Sequence, residues 1–81
     1  MAKIQIFGSL RDLFAGHEEV ELEVKNLREL LVKLPQAYPE CTEEIAEGVS
    51  VSIDGKIIND AWFTPIRPDS EVVVLPRIVG G

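Results

Sequence analysis

The apolar residues change period several times along the chain. In Lys3 to Phe7, KIQIF, Ile4 and Ile6 share one side of an extended strand, because side chains alternate across a strand. Ser9 is placed to cap a short helical turn carrying Leu10, Leu13 and Phe14, with Gly16 ending it. Val20 to Val24, VELEV, alternates again, with Val20, Leu22 and Val24 inward and Glu21 and Glu23 outward. That pattern suits a sheet with one solvated face. The period then lengthens: Leu27, Leu30, Leu31 and Leu34 stand at i, i+3, i+4 and i+7, one face of a helix. Asn26 followed by Glu29 resembles a capping box. Pro35 lacks an N–H and disfavours helical geometry at Leu34, which predicts an end or kink there. Tyr38-Pro39 marks a second break, and Thr42 to Glu47 fits one more turn stopped by Gly48.

Val49 to Ile53, VSVSI, returns to alternation. Asp54-Gly55 is a hairpin signal, because both central positions of a type I′ turn need positive φ. Lys56 to Ile58 is the return strand. Trp62, Phe63 and Ile66 are expected to cover the edge of the core. Pro68-Asp69-Ser70 forms a turn with proline at its second position, and Glu71 to Leu75 is the last strand. The order is strand, strand, helix, strand, short strand, strand. It predicts an α+β fold of the β-grasp (ubiquitin-like) kind, one mixed sheet packed on one main helix. A ferredoxin-like plait needs a second full helix, which the 54–71 segment lacks. The predicted domain spans 1–75, with an extended tail at 76–81.

At 81 residues the chain has room for one domain with a small core. An apolar fraction of 46% is too high for a disordered segment. The longest fully apolar run is Val72 to Leu75, far short of a membrane span, and the N-terminus does not resemble a signal peptide. The expectation is a cytoplasmic protein. Net charge is −6, with acids concentrated at Glu18 to Glu23 and Glu40 to Glu47. Such a surface repels nucleic acid and anionic membrane; it reads first as a solvated, solubilising surface and alternatively as one that steers the molecule toward a basic protein partner. Cys41 and His17 stand alone in their types, so neither a disulfide nor a cysteine-cluster site can form, and no metal is expected. Glu40, Glu43 and Glu44 beside Cys41 oppose a reactive thiolate.

The chain closes on PRIVGG. Pro76 has no N–H to extend a ladder, so residues 76 to 81 are expected to leave the sheet. Six extended residues reach up to ~20 Å, enough to enter another protein. Glycine lets a backbone pass where a Cβ would not fit. The tail has no acidic side chain, so its anion is the Gly81 carboxylate, ionised at neutral pH. A carboxylate becomes an acyl donor only when an oxygen is converted into a leaving group, as in attack on the α-phosphate of ATP. The chain carries neither a phosphate-cradling glycine loop nor a nucleophile–base pair. It therefore reads as a carrier activated elsewhere, and not as an enzyme on its own.

Phe7 with Arg11 and Leu13 after the first strand, Glu71-Val72 opening the last, and Pro76 before a final Gly80-Gly81 make the chain similar to a known family. It resembles the small, sulfur-carrier subunit of molybdopterin synthase over nearly its whole length. Two departures stand out: Pro68-Asp69-Ser70-Glu71-Val72 where the family often has Asp-Gly-Asp-Glu-Val, and Arg77 where proline is common. The resemblance implies that a ubiquitin-activating-like adenylyltransferase uses ATP to adenylate Gly81, and that a sulfur donor system converts it to a thiocarboxylate. It implies no bound cofactor. The tail would then enter the large synthase subunit, in an expected heterotetramer, and give sulfur to a pterin precursor. On this sequence Gly80 would permit channel entry, while Arg77, Ile78 and Val79 would line the insertion path. Phe7, Ile57 and Leu75 resemble the family's partner-binding surface.

The strand pattern supports that surface independently. If Ile4, Ile6, Val72 and Val74 face the helix, then Phe7, Val73 and Leu75 face outward, and an exposed apolar cluster on a small sheet often marks an interface. Arg11 reads equally as a partner-pairing cation or an ordinary exposed arginine. Other readings stay open: a sulfur carrier for the thiamine thiazole, a ubiquitin-like modifier for tRNA thiolation or protein conjugation, and a plain interaction module.

Overall fold

The computed structural model describes residues 1–59 and 61–77. Strand β1 is Ala2–Ile6, followed by a 3-10 turn at Gly8–Phe14 and β2 at Glu19–Leu22. Helix α1 spans Leu27–Ala37, a 3-10 turn covers Pro39–Cys41, and α2 is Thr42–Glu47. Strands β3, Val49–Ile53, β4, Lys56–Ile58, and β5, Val72–Pro76, complete the chain. The five strands form one mixed sheet in the order β2-β1-β5-β3-β4. The central pair β1–β5 is parallel and the other pairs are antiparallel. This is the β-grasp arrangement: two hairpin arms flank a parallel centre, and α1 crosses one face.

Alternation in the strands and the leucine face of α1 meet in one core. Ile4 and Ile6 lie beside Val72 and Val74 in the parallel register, and Val51 and Ile53 join from β3. Leu27, Leu30 and Leu34 close over them with Phe14 and Cys41, all with almost no exposure. Asn26 caps α1 by accepting the Glu29 N–H at 2.9 Å, while Glu29 reaches back to the Lys25 N–H at 3.0 Å. The reciprocal bond thus lands one residue before the usual capping-box position. The next two helix N–H groups, on Leu27 and Arg28, donate to the Thr64 and Trp62 carbonyls.

Four local expectations are corrected. Helix α1 does not stop at Leu34 but continues through Pro35 to Ala37. Pro35 stands near the helix end and forgoes one bond toward Leu31, while the next turn still closes through Tyr38 N–H to Leu34 C=O at 2.8 Å. Ser9 does not cap the turn before Phe14; Phe7 holds that position with no side-chain bond, and the turn is 3-10. Phe63 does not cover the edge of the core: it is 74% exposed, whereas Ile66 is buried and Trp62, half exposed, lines a crevice with Leu27 and Val51. Finally, β5 runs one residue further than expected, with Pro76 opposite Val49.

Pro76 is tolerated there for a geometric reason. The Phe7 N–H bonds the Val74 carbonyl, so Val74 points its backbone groups at β1. Two residues on, Pro76 points the same way, past the place where β1 has turned into its 3-10 segment. The missing N–H has no strand to serve.

Candidate functional site

The sheet face opposite α1 grades from charged to apolar. At the β2 edge it presents Glu19 and Glu21 beside Gln5 and Lys3. Across the parallel centre it presents Val73 and Leu75, both half-buried, then Ser50 and Ser52, and finally Ile57 on β4, which is exposed. Phe7 continues β1 on this same face by alternation and is 50% exposed. Four residues expected on a partner surface, Phe7, Ile57, Val73 and Leu75, therefore share one side of the sheet.

Arg11 is also at this end, with its side chain held by its own chain. Its Nε donates to the Ile6 carbonyl at 3.2 Å, and Nη1 lies 3.6 Å from Glu18 Oε1. A cleft of about 460 Å³ opens between Phe7, Arg11, Glu18 and Val73. It combines an aromatic wall, one guanidinium and one carboxylate beside the apolar face.

The chain leaves the sheet at the opposite end of β5 from Glu71. Arg77 is exposed, and its side chain runs over Gly48, whose absent Cβ would stand 3.7 Å from Arg77 Cδ. Gly48 has φ 113°, a region that disfavours side chains, and it ends α2 while starting β3. Ile78, Val79, Gly80 and Gly81 lie outside the described residues.

Cys41 is sealed in the core under Tyr38 and α1, and burial pushes its thiol above the ordinary range. A backbone hydrogen bond works against that rise and does not offset it. Both position and protonation keep this sulfur out of solution chemistry. Among the described residues no cluster of His, Cys, Asp or Glu could hold a metal ion, and no helix is long and apolar enough to cross a membrane.

Sequence reasoning missed two features. Asp54 was read only as a turn residue, yet its side chain also binds the start of β5 (Glu71 N–H to Oδ1, 2.9 Å). Trp62 is expected at the edge of the core, yet its carbonyl also accepts the Arg28 N–H at the start of α1, at 2.8 Å. No local pattern announces either contact, because both join segments that only the sheet brings together.

The profile of the ThiS family matches residues 4–81. The chain belongs to the ThiS family of ubiquitin-like sulfur carriers. Among solved structures it is similar to molybdopterin converting factor subunit 1 from Pyrococcus furiosus, with TM-score 0.79 and 22% identity, covering 95% of this chain and 97% of that one. It is similar to the small archaeal modifier protein 1 from Methanosarcina acetivorans, with TM-score 0.75 and 24% identity over 99% and 95% of the two chains. It is also similar to a chain in the complex of subunits 1 and 2 of the molybdopterin-converting factor from Helicobacter pylori, with TM-score 0.69 and 19% identity over 99% and 97%. A search of the curated proteins returns no match. At these identities the structural likenesses speak for the β-grasp fold.

Proposed function

We propose that this ThiS-family protein is the small, sulfur-carrying subunit of a molybdopterin synthase, with Gly81 as its reactive residue. The supporting observation is that exposed Phe7 and Ile57 and half-buried Val73 and Leu75 share the face of a sheet whose last strand leads directly into the tail. A face of this kind gives a partner a place to dock while the tail reaches a separate catalytic centre. The Helicobacter pylori neighbour, a complex of subunits 1 and 2, supports a large subunit as that partner.

The chemistry runs in three steps. A Gly81 carboxylate oxygen attacks the α-phosphorus of ATP in an adenylyltransferase; an O–P bond forms, the bond to the β-phosphate breaks, and pyrophosphate leaves. Hydrosulfide supplied by the sulfur donor system then attacks the acyl carbon; a C–S bond forms, the C–O bond to phosphate breaks, AMP leaves, and a thiocarboxylate remains. In the large subunit that sulfur attacks a side-chain carbon of the pterin precursor, where a C–S bond forms as a C–O bond breaks and the oxygen group leaves; water then attacks the acyl carbon, the acyl C–S bond breaks, and the sulfur stays on the pterin while the carboxylate is restored. Gly80 passes the narrow entry, Arg77, Ile78 and Val79 contact the channel, and Arg11 sits at the docking rim. The domain provides the handle, through Pro76 at the end of β5, and the arm beyond it, while catalysis belongs to the partners. The setting is cytoplasmic, with neither nucleic acid nor membrane as a partner.

Intact mass spectrometry of protein from its native host tests the carrier chemistry: one oxygen of Gly81 is replaced by sulfur. Reconstitution with a molybdopterin synthase large subunit and its pterin precursor tests the pathway, and dithiolene product is expected. Likeness to an archaeal modifier favours a second reading, in which the same adenylate is passed to lysines. Conjugates in cell extract without dithiolene formation would establish it instead.

A further inference from the structure

The helix side of the molecule, away from the sheet face that carries Phe7 and Leu75, holds an apolar trough. One part, about 320 Å³, is walled by Leu31 and Val32 of α1 and by Trp62 and Phe63, with Arg28 at its rim. A second part, about 100 Å³, shares Leu31 and Trp62 with it and adds Leu27, Val51 and Ile58. Val32 and Trp62 are half exposed, and Phe63 more so. Large apolar side chains gathered in one exposed patch often mark an interaction site. The two walls are fixed to each other through the backbone: the Trp62 carbonyl accepts the Arg28 N–H at 2.8 Å, and the Thr64 carbonyl accepts that of Leu27 at 3.1 Å.

We infer that this trough docks an amphipathic helix of another protein, one that presents large aliphatic side chains a turn apart with a carboxylate beside them. Charge selects the carboxylate. The chain has fourteen acids and a net charge of −6. Yet among the described residues no acid lines either part of the trough, and Arg28 is the one charged residue that does. Its side chain is exposed, and among the described residues its guanidinium makes neither a hydrogen bond nor an ion pair. A free cation at the rim of an apolar trough, on an otherwise acidic molecule, is complementary to an apolar segment that carries an acid.

The walls also select a helix. Neither wall of the larger part is a strand, and their backbones are bonded to each other, so the trough offers no ladder to an extended segment. A segment lying in it must satisfy its own backbone polar groups, as a helix does. A second copy of this chain is a poor occupant. A two-fold pairing sets trough against trough and cation against cation, with no acid from either. Three exposed apolar side chains also fall well short of the roughly 1,200 Å² that a stable dimer buries, whereas a single docked helix is a smaller, transient contact. Tryptophan and arginine are the side chains that carry most of the energy in such contacts. Because the trough lies on the helix side, it stays open while the opposite sheet face is occupied. The inference uses described side chains alone and does not rest on the carrier reading.

Trp62 is the sole tryptophan, so its emission reports the trough directly. The probe is a capped, alanine-rich peptide of about 16 residues, long enough to populate a helix in water, with two leucines one turn apart and a glutamate one turn further along the same face. Two companion peptides replace the glutamate by lysine or both leucines by serine. Titrated into the full chain, the glutamate peptide is expected to shift Trp62 emission to shorter wavelength. The lysine peptide should bind about fivefold more weakly, and the serine peptide should leave the emission unchanged. Arg28→Glu should invert the order of the glutamate and lysine peptides, and Phe63→Ser should weaken both. Both residues are exposed, and the peptide series on the unaltered chain is decisive even where a variant fails to fold. Emission that ignores every peptide overturns the proposal. Equal affinity for the glutamate and lysine peptides overturns it as well, because Arg28 then reads no charge. Emission that changes with protein concentration in the absence of peptide overturns it in favour of a second copy. The expected order of the three peptides establishes the trough as a helix-docking site, whether or not Gly81 is ever adenylated.

Discussion

Asp54 and Glu71 are joined twice: the Asp54 N–H donates to the Glu71 carbonyl at 2.8 Å, and the Glu71 N–H donates to Asp54 Oδ1 at 2.9 Å. One side chain thus serves two ends. It supplies the first positive-φ position of the β3–β4 hairpin, at φ 51°, and it fixes where β5 enters the sheet. Asp54→Ala removes the side-chain acceptor and leaves a residue that tolerates left-handed backbone less well. The expected loss is about 1–2 kcal/mol of unfolding free energy in urea titration. Asp54→Asn retains both the acceptor and the tolerance and should recover most of it.

Phe7 is tied to the sheet by its backbone, through the 2.9 Å bond from its N–H to the Val74 carbonyl, while its ring is half exposed. Truncating the ring leaves that bond in place. Phe7→Ala is expected to change unfolding free energy by less than about 1 kcal/mol, yet to weaken binding to the large subunit by about 2 kcal/mol or more, as for a central aromatic anchor. Calorimetric titration beside thermal melting separates the two effects. A large fall in melting temperature with unchanged affinity would show that the ring belongs to the core.

Gly81 follows a tail that begins only after the last ladder contact at Pro76. A chain lacking Gly81 should melt within a degree or two of the full one, because the last buried residue of the described core is Val74. It should support no ATP–pyrophosphate exchange with its adenylyltransferase above background. Unfolding of the shortened chain would assign the tail a structural role.

Cys41 tests the core from inside. Its thiol is raised in the folded state, so the neutral form is favoured more by the folded chain than by the unfolded one. The contribution to stability is therefore complete below the thiol's ordinary range and is lost as pH rises through the folded value. Melting temperature should fall on the alkaline side in the wild type, and this component of the fall should vanish in Cys41→Ala. Thiol reagents should label the native protein only at the rate of global unfolding. Cys41→Ser is expected to cost about 1–3 kcal/mol by burying a hydroxyl, with sulfur transfer intact.

The sequence by itself determined the element order, the leucine face of α1, the Asp54-Gly55 hairpin and the two faces of the sheet. All of these follow from side-chain period and from backbone sterics at single residues. It also carried Phe7, Val73 and Leu75 to a common face by alternation, while the register of β4 on β3, Ile57 opposite Ser52, brought Ile57 to that face. Tertiary structure decided what happens where segments far apart in sequence meet. Pro35 stays helical because packing of Leu34 and closure by Tyr38 outweigh one lost hydrogen bond, and Pro76 stays in the strand because its nitrogen faces a place that β1 has vacated. Trp62 and Phe63 look like core by composition. The backbone of their turn is spent on the first N–H groups of α1, through the Trp62 and Thr64 carbonyls, and Phe63 is left in solvent. Local pattern measures how apolar a residue is; only the assembled layers determine whether room remains for it inside.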